Sequence, residues 1–364
     1  MIRNRVTTTR QAAAACLLAA PLVWGLAGCK KTETPVAGPA TGTGQGSGTQ
    51  SASAAGPGAP ALGAAEPLVI TARLGEKSHL LSPRGVAVDP SGNVFVADTG
   101  NSRVVKFDAS GREVAVIGRK GSGPGEFESA WLPAVDGKGQ LYVLDPRRGR
   151  VSIFGNDGKY LRKIGESAGF YSPAGLAVAK DGTVAVADTG GNRVVVFSPD
   201  GQTRGEPITS TPQGKLIQPT DAAFDAKGNL YVVQPTGPNG KGTLYRFDPE
   251  GKYQTAWVIT NVPSTTDTPR LAVGPDGRVY LSDIEHGHLI AYDPEGKKAT
   301  PLAFAAGDMD RFRRIGNIAV DEKGRIFVMD VDAALAYRLE KPEAAPVQPP
   351  KAAAPEAAPK PRKK

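Results

Sequence analysis

Short apolar runs separated by turn residues recur along the chain between residues 80 and 340. Each unit has an apolar run, an Asp/Gly turn, a second run ending in an acidic or amide residue, a short loop, and a third run ending in an aromatic residue. The turn glycines lie 43 to 49 residues apart, at Gly92, Gly139, Gly182, Gly228, Gly277 and Gly324. Such a period, with four short β-branched strands per unit, is typical of a propeller. The pattern predicts an all-β fold, a six-bladed β-propeller over residues 67–340.

The two ends of the repeat region predict how the ring closes. The sixth unit breaks off at residues 339–342 without a fourth strand, and an apolar run without a unit of its own, residues 68–74, precedes the first unit. Added to the last blade as its outer strand, this run would remove an unpaired strand edge. We expect the ring to close through residues 68–74.

The N-terminal segment has the pattern of an export signal. Three arginines precede a short apolar stretch that ends in Leu26, Ala27, Gly28 and Cys29. A basic start, a short apolar core and small residues before a cut point are typical of a secretory signal, and the last four residues resemble a bacterial lipoprotein box. We expect residues 1–28 to be removed and Cys29 to carry lipid; the alternative is an ordinary secretory peptide with an unmodified Cys29.

The predicted anchor also bears on location. By resemblance to Gram-negative sorting rules, Lys30 after the cysteine implies an outer-membrane protein that faces the periplasm or the cell surface. Residues 29–66 are rich in Gly, Ala, Ser, Thr and Pro and predict a flexible tether. The membrane, reached through the lipid, is therefore one expected partner, and with one cysteine left the mature protein can form no internal disulfide.

Charge is concentrated outside the predicted propeller. The signal carries +3 and the Pro/Ala/Lys-rich tail, residues 341–364, carries +4 of the formal net charge of +8; the tether is neutral, which leaves +1 for residues 67–340. A near-neutral domain in an exported protein argues against nucleic acid as a partner. We expect the tail to be disordered and the propeller to be a monomer.

Three segments of the repeat units resemble NHL repeats. They are residues 96–104 (VADTGNSRV), 121–127 (GSGPGEF) and 186–194 (VADTGGNRV). The resemblance weakens in the last three units, where Gln234 replaces the aspartate that ends the second run and the Asn-x-Arg is missing. It implies a six-bladed propeller that often serves as an interaction platform.

Strand alternation divides the connections between two ends of the ring. Connections between second and third strands, and between blades, share one end, which we call the loop face; they are long and varied at 118–131, 202–218, 234–243, 259–269 and 299–314. The other end, the turn face, has short uniform turns, and we expect no concavity there. Function is therefore expected on the loop face. Because aspartates such as Asp98 recur in five of six units, we interpret them as acceptors for loop backbone N–H groups.

The candidate binding residues lie where the first strand of each unit begins, at the predicted loop-face mouth of the central channel. They are Arg84, Trp131, Thr220, Asp221, Arg270 and Asn317. Two guanidinium groups beside an indole suit an anionic or carbohydrate-like ligand. The alternative is that the charged members simply neutralise one another around a water-filled channel.

Metal and catalytic patterns are weak in this sequence. His286 and His288 are weak metal candidates, because two histidines on one loop normally need further ligands. No catalytic triad or phosphate loop stands out, so we predict no catalytic residue and no cofactor. The expected function is a binding or assembly scaffold for an envelope protein, peptide, glycan or small anion. The alternative, implied by resemblance, is a metal-dependent lactonase or lyase of the six-bladed class.

Overall fold

A computed structural model describes residues 60–236, 241–259, 268–283, 287–304 and 312–342. The predicted signal, Cys29, most of the tether, His286 and residues 343–364 lie outside these described residues. Within them, none of the helical segments has the length and apolar character needed to cross a bilayer. The described chain is an all-β, six-bladed propeller, as predicted.

The chain enters through two strands, β1 at Ala61–Leu62 and β2 at Glu66–Leu74. The first blade follows as an antiparallel sheet in the order β3-β4-β5-β6, with β3 at Gly85–Val88, β4 at Val94–Asp98, β5 at Arg103–Phe107 and β6 at Glu113–Ile117. Strand β4 is wholly buried, whereas β6 is exposed up to its last residue. The inner runs are uniformly apolar because inner strands pack between neighbouring blades, whereas the outer run is mixed because the outer strand is largely exposed.

The next three blades repeat this order. The second contains β7 at Leu132–Val135, β8 at Leu141–Asp145, β9 at Arg150–Phe154 and β10 at Tyr160–Ile164. The third contains β11 at Pro173–Val178, β12 at Val184–Asp188 and β13 at Arg193–Phe197, followed by a small hairpin of β14 at Ser210–Thr211 and β15 at Gly214–Lys215. The fourth contains β16 at Asp221–Phe224, β17 at Leu230–Gln234, β18 at Thr243–Phe247 and β19 at Tyr253–Val258.

The last two blades complete the ring. The fifth contains β20 at Leu271–Val273, β21 at Val279–Asp283, β22 at His288–Tyr292 and β23 at Lys298–Phe304, and the sixth contains β24 at Ile315–Val320, β25 at Ile326–Asp330 and β26 at Leu335–Glu340. Short 3₁₀ turns lie at Thr99–Asn101 and Glu166–Ala168.

Two predicted long loops differ in the structure. Residues 299–304 of the predicted loop 299–314 belong to β23, which pairs antiparallel with β22. In the predicted loop 202–218, two isolated bridges, Phe197 with Thr203 and Val194 with Ile208, stand in for the fourth strand of the third blade. Local sequence could not predict either pairing, because whether a segment forms a strand here depends on hydrogen bonds to the preceding strand of the blade.

The ring closes through β2, which confirms the predicted closure. Strand β2 pairs antiparallel with β26, from Val69 opposite Glu340 to Leu74 opposite Ala336. The pairing also extends beyond the prediction, since the start of β2 and all of β1 pair parallel with β23 of the fifth blade. Ordered strand structure therefore starts before the predicted boundary at residue 67. Glu66, assigned to the tether, lies in β2 and forms ion pairs with Arg278 and Lys341.

Apolar packing is divided among the interfaces between blades. Six clusters of buried side chains occur in the described residues, and each combines two neighbouring blades. The cluster between the sixth and first blades, for example, joins Phe327 and Met329 to Val86 and Val96, with Leu74 of β2 beside them. The inner strands β3, β7, β11, β16, β20 and β24 contact one another in a closed ring and surround the central channel.

Candidate functional site

The loop-face end of the channel gathers the predicted binding residues, because each lies at or just before the start of an inner strand. Five of the six blades contribute: Arg84, Trp131, Thr220, Asp221, Arg270 and Asn317. The third blade has Ala174 and Gly175 there instead. Gly175 permits close packing, because a Cβ on it would lie 2.7 Å from the Cα of Asp221.

Arg84 and Trp131 form a stacked pair on the first two blades. The Arg84 guanidinium carbon lies 4.7 Å from the centroid of the Trp131 ring, which is within the range of a favourable cation–π contact. Both side chains are half-buried. The indole Nε1 of Trp131 is buried and has no hydrogen-bond partner among the described residues. A planar cation and an indole N–H donor thus lie together at the channel mouth.

Asp221 and Asn317 occupy the same position in their units and hold neighbouring blades together. Oδ2 of Asp221 accepts the backbone N–H of Leu271 in the fifth blade at 3.1 Å. Oδ1 of Asn317 accepts the backbone N–H of Val86 in the first blade, also at 3.1 Å. Both side chains are buried. The structure therefore gives these two residues a role in inter-blade contact that local sequence did not reveal.

Arg270 is likewise engaged within the protein. Its side chain is only 6% exposed, and Nη1 donates to the backbone carbonyls of Ala174 at 3.0 Å and Thr220 at 3.4 Å. Its guanidinium thus connects the third, fourth and fifth blades. Thr220 is buried too, and its hydroxyl lies 3.4 Å from the Pro269 carbonyl.

Burial also alters the chemistry of Asp221. Desolvation raises the pKa of its carboxyl group to about 6, although the positive charge of Arg270 and the backbone N–H donors of Leu271 and Ala222 act in the opposite direction. A carboxyl group with this pKa can exchange a proton near neutral pH. Asp221 therefore differs chemically from surface acids such as Asp108 and Asp157, whose pKa values are lowered by hydrogen bonds from neighbouring groups.

The predicted metal candidates do not assemble a site in the described residues. His288 begins β22 and lies half-buried, with its ring centroid 6.4 Å from that of Phe304. Its Nδ1 is buried without a hydrogen-bond partner in the described part of the chain. No group of three or more His, Cys, Asp or Glu side chains that could hold a metal occurs among the described residues.

The aspartates that end the second strands act as predicted. Oδ1 of Asp98 accepts the backbone N–H of Leu81 at 2.7 Å, and Oδ1 of Asp188 accepts that of Tyr171 at 2.8 Å. Gln234 does the same with its amide oxygen, at 2.7 Å from the N of Ile217. This shared geometry explains why glutamine can replace the repeated aspartate.

The turn face is not flat, contrary to the prediction. A cavity of about 330 Å³ lies between the third and fourth blades, where the bridges of Thr203 and Ile208 replace a regular outer strand. A second cavity, of about 180 Å³, lies at the turn-face end of the channel and is lined by all six blades. Across this end, Lys180 of the third blade pairs with Glu322 of the sixth at 2.7 Å. In the sequence, the larger cavity was indicated by the long and irregular segment 202–218, which supplies part of its lining.

Comparison with known proteins agrees with this architecture. The model of the NHL repeat family matches residues 80–107 and 170–197. The chain is 40% identical to rat (Rattus norvegicus) peptidylglycine alpha-amidating monooxygenase over 100 residues, which cover 24% of this chain and 10% of that protein. It is 25% identical to a probable peptidyl-alpha-hydroxyglycine alpha-amidating lyase of Caenorhabditis elegans, over 57% of this chain and 63% of the other.

A solved structure shows a similar fold. The streptogramin B lyase structure aligns with a TM-score of 0.53 and 12% identity, covering 75% of this chain and 97% of that one. The chain spans less than two thirds of the amidating proteins that it matches. The similar proteins therefore include six-bladed propeller enzymes, and the likeness to the solved structure concerns the fold.

Proposed function

We propose that this NHL-repeat, six-bladed β-propeller protein is a cell-envelope lipoprotein whose propeller acts as a binding scaffold. Its ligand, a protein, a glycan or a small anion, docks across the loop face and places an anionic group at the channel mouth. The observation that carries the proposal is the Arg84 guanidinium held 4.7 Å over the Trp131 ring. An arginine can bind a carboxylate through two parallel hydrogen bonds.

The rigidity of the mouth supports recognition of a ligand. Asn317 accepts the backbone N–H of Val86, two residues after Arg84, and Asp221 and Arg270 bond to backbone groups of neighbouring blades on the other side of the mouth. A preorganised site loses less conformational entropy when it binds a ligand. The buried charge of Arg270 adds positive potential close to the proposed anion.

The path of the chain also supports the loop face as the working surface. Strand β26 runs toward the turn face and β2 runs antiparallel to it, so residue 60 and residue 342 both lie on the turn-face side. Glu66 and Lys341 are in contact there, at 2.8 Å. The loop face carries neither end of the described chain.

A pulldown from envelope extract tests this function. Arg84→Ala should weaken retention of a partner by about 1.5–3 kcal/mol, the cost of a lost charge-assisted hydrogen bond. Arg270 is unsuitable for this test, because removing its buried guanidinium would also leave two carbonyls without a donor. Lys138→Ala on the turn face is the control, and quantitative mass spectrometry is the measurement. If wild type and Arg84→Ala recovered the partner equally while Lys138→Ala lost it, binding would lie on the turn face and the proposal would be wrong.

A lyase or lactonase is the second candidate function, favoured by the pKa of about 6 at Asp221 and by the similarity to amidating lyases. The described residues do not fit a metal at the mouth, since no group of three or more His, Cys, Asp or Glu side chains that could hold one occurs among them. Purified protein can be assayed with hydroxyglycine-extended peptides and with sugar lactones. Turnover that disappears in Asp221→Asn would replace the scaffold proposal with this one.

A further inference from the structure

Three large apolar side chains protrude from the loop face at one position of the repeat. Leu81, Tyr171 and Ile217 are 54%, 74% and 50% exposed. Each lies 17 residues before the residue that ends the second strand of its blade, namely Asp98, Asp188 and Gln234. We call this repeat position the rim position. Single exposed apolar residues are common on protein surfaces, but the same exposure at an equivalent position of three blades is not random scatter.

The backbone at the rim position is held by a buried acceptor. As described above, Asp98, Asp188 and Gln234 accept the N–H groups of the three rim residues at 2.7 to 2.8 Å. All three acceptors are 0% exposed. Two of the acceptors are carboxyl groups and the third is the amide oxygen of Gln234, and none of them is exposed to competing water. The backbone is thus fixed while the apolar side chain points into solvent.

Further contacts hold the rim residue in the first and third blades. The N–H of Gly100 donates to the carbonyl of Leu81 at 2.8 Å. At the matching place in the third blade, a Cβ on Gly190 would collide with the carbonyl oxygen of Tyr171, so glycine is required there. Residues of the repeat signature, D-T-G, therefore build a rigid support under Leu81 and Tyr171.

Arginine side chains complete this support. Nε of Arg103 lies 2.7 Å from Asp98, and its Nη2 donates to the Ser78 carbonyl at 2.9 Å. Arg193 repeats the pattern with Asp188 and the carbonyl of Ala168. Each arginine ties its aspartate to the loop that precedes the rim residue. Such preorganisation lowers the entropy that ordering a contact loop would otherwise cost upon binding.

The remaining rim positions indicate the chemistry of the partner. Glu128 and Arg313 are held in the same way, with their N–H groups 2.8 Å from Asp145 and Asp330, and both side chains are exposed. The fifth-blade position, residue 266, lies outside the described residues. The described rim therefore presents three apolar side chains, one acidic side chain and one basic side chain.

This mixture fits a polypeptide better than other ligands. Nucleic acid and anionic lipid surfaces attract predominantly basic faces. Glycans need hydrogen-bond donors and acceptors or stacking rings; Tyr171 supplies a ring, but Leu81 and Ile217 supply neither and are better suited to apolar side chains. Protein interfaces instead combine apolar anchors near their centre with charged groups of both signs at the edge.

We propose that the rim position is a contact site for a polypeptide and that Leu81, Tyr171 and Ile217 bind apolar side chains of one protein segment. This inference rests on the proposed binding function of the loop face and names the class of its partner. In this arrangement the repeat signature has a second use: it fixes blade structure and also presents a variable side chain at a constant place.

A random peptide library displayed on phage, panned on the full chain, provides the probe. Peptides are selected on the wild-type chain alone. Binding of the enriched peptides to the wild type and to the rim variant, Leu81→Ser/Tyr171→Ser/Ile217→Ser, is then measured by fluorescence anisotropy. We expect enriched peptides to contain several apolar residues and to bind the rim variant at least about tenfold more weakly, as expected when central apolar anchors are lost. Thermal unfolding should be unchanged, because exposed positions contribute little to stability.

The chain offers a matched control on its outer strands. Val114, Val116 and Leu161 are 45%, 47% and 50% exposed and lie on β6 and β10, away from the rim. The variant Val114→Ser/Val116→Ser/Leu161→Ser should bind the peptides as the wild type does. Equal losses in the two triple variants, no loss in the rim variant, or no enriched peptide would overturn the inference.

Other occupants of the rim give distinct results. Flotation of the wild type with vesicles of phosphatidylcholine and phosphatidylglycerol tests for a lipid surface, and sedimentation velocity tests for a dimer. Loss of flotation or of a dimer in the rim variant would overturn the polypeptide proposal. The proposed function is separable, since it is tested by Arg84→Ala. Should Arg84→Ala lose its envelope partner while the rim variant keeps it, the binding function stands and the rim inference fails. If neither substitution reduces binding, both fail.

Discussion

The buried aspartates of this propeller have hydrogen-bond partners and ionisation properties that depend on where the fold places them. Asp98 and Asp188 are fully buried, and each accepts a backbone N–H and an arginine. Asp221 is also buried, and it accepts the backbone N–H of Leu271. Desolvation raises its pKa to about 6, because it outweighs the attraction of Arg270. The balance of burial and compensating donors, rather than residue type, decides the charge state of a buried acid.

The raised pKa of Asp221 predicts how stability depends on pH. The carboxyl group ionises at about 3.8 in the unfolded chain and at about 6 in the folded one. The folded state therefore holds an extra proton between these values, and stability falls as pH rises from about 4 to about 6. A shift of this size corresponds to about 3 kcal/mol. Above pH 6 the loss is complete and remains constant.

Asp221→Asn should remove this pH dependence. Asparagine cannot ionise but can still accept the Leu271 N–H, as Asn317 does at the matching position. We expect the variant to match wild type near pH 4 and to be more stable by up to about 3 kcal/mol at pH 7.5, measured by urea unfolding. Asp157→Asn is the control, since Asp157 is exposed and its pKa is lowered by the N–H of Lys159. A difference between Asp221→Asn and wild type that stays constant with pH would refute the explanation.

Strand β2 pairs with strands of two different blades. It supplies the outer strand of the sixth blade and also pairs with β23 of the fifth. Leu68 and Leu74 of β2 are buried in two different inter-blade clusters. One strand thus joins the beginning of the chain to its end and covers the edge that β26 would otherwise expose.

Deletion of residues 66–74 should therefore lower the melting temperature severely, because ladder hydrogen bonds and two buried leucines are lost together. Deletion of residues 30–59, which lie outside the described residues, should leave it nearly unchanged. Circular dichroism melts of the two deletions provide the measurement. If the two deletions lowered the melting temperature equally, β2 would not be the element that closes the ring.

The whole molecule is held by packing between blades, in six separate clusters. Polar groups link the same neighbours, as in the hydrogen bonds from Leu271 to Asp221 and from Val86 to Asn317. Strands β2 and β26 bring the described chain in and out on the turn-face side of the ring.

Lipid attachment remains a prediction from the sequence alone. Cys29→Ser should move the protein from the membrane fraction to the soluble fraction, because acyl chains contribute about 0.8 kcal/mol of membrane affinity per buried CH₂. Cell fractionation followed by immunoblotting measures the change, and Lys30→Asp tests the sorting of the lipoprotein between membranes. Continued membrane association of Cys29→Ser would show that something other than the lipid holds the protein there.

Much of the architecture could be predicted from the sequence, because its causes are local and repeated. The spacing of the turn glycines, the apolar runs and the unpaired segment 68–74 predicted six blades and the closing strand, and β2 and β26 confirm this. The aspartates were also interpreted correctly, since a residue that recurs in nearly every unit has a role in every unit. Because the same pattern occurs in several units, it can be recognised even where a single unit departs from it.

The candidate site depended on contacts between blades that local sequence does not encode. Asp221, Asn317 and Arg270 looked like ligand groups, yet the structure commits their side chains to backbone groups 50 to 231 residues away in sequence. The turn-face cavity arises where the outer strand of the third blade is reduced to two bridges. The sequence by itself determined which segments form strands and how many blades they build, because hydrophobic periodicity acts within each unit. Only the tertiary structure decided which polar groups remain for a ligand, since that depends on which donors and acceptors the neighbouring blades bring within hydrogen-bonding distance.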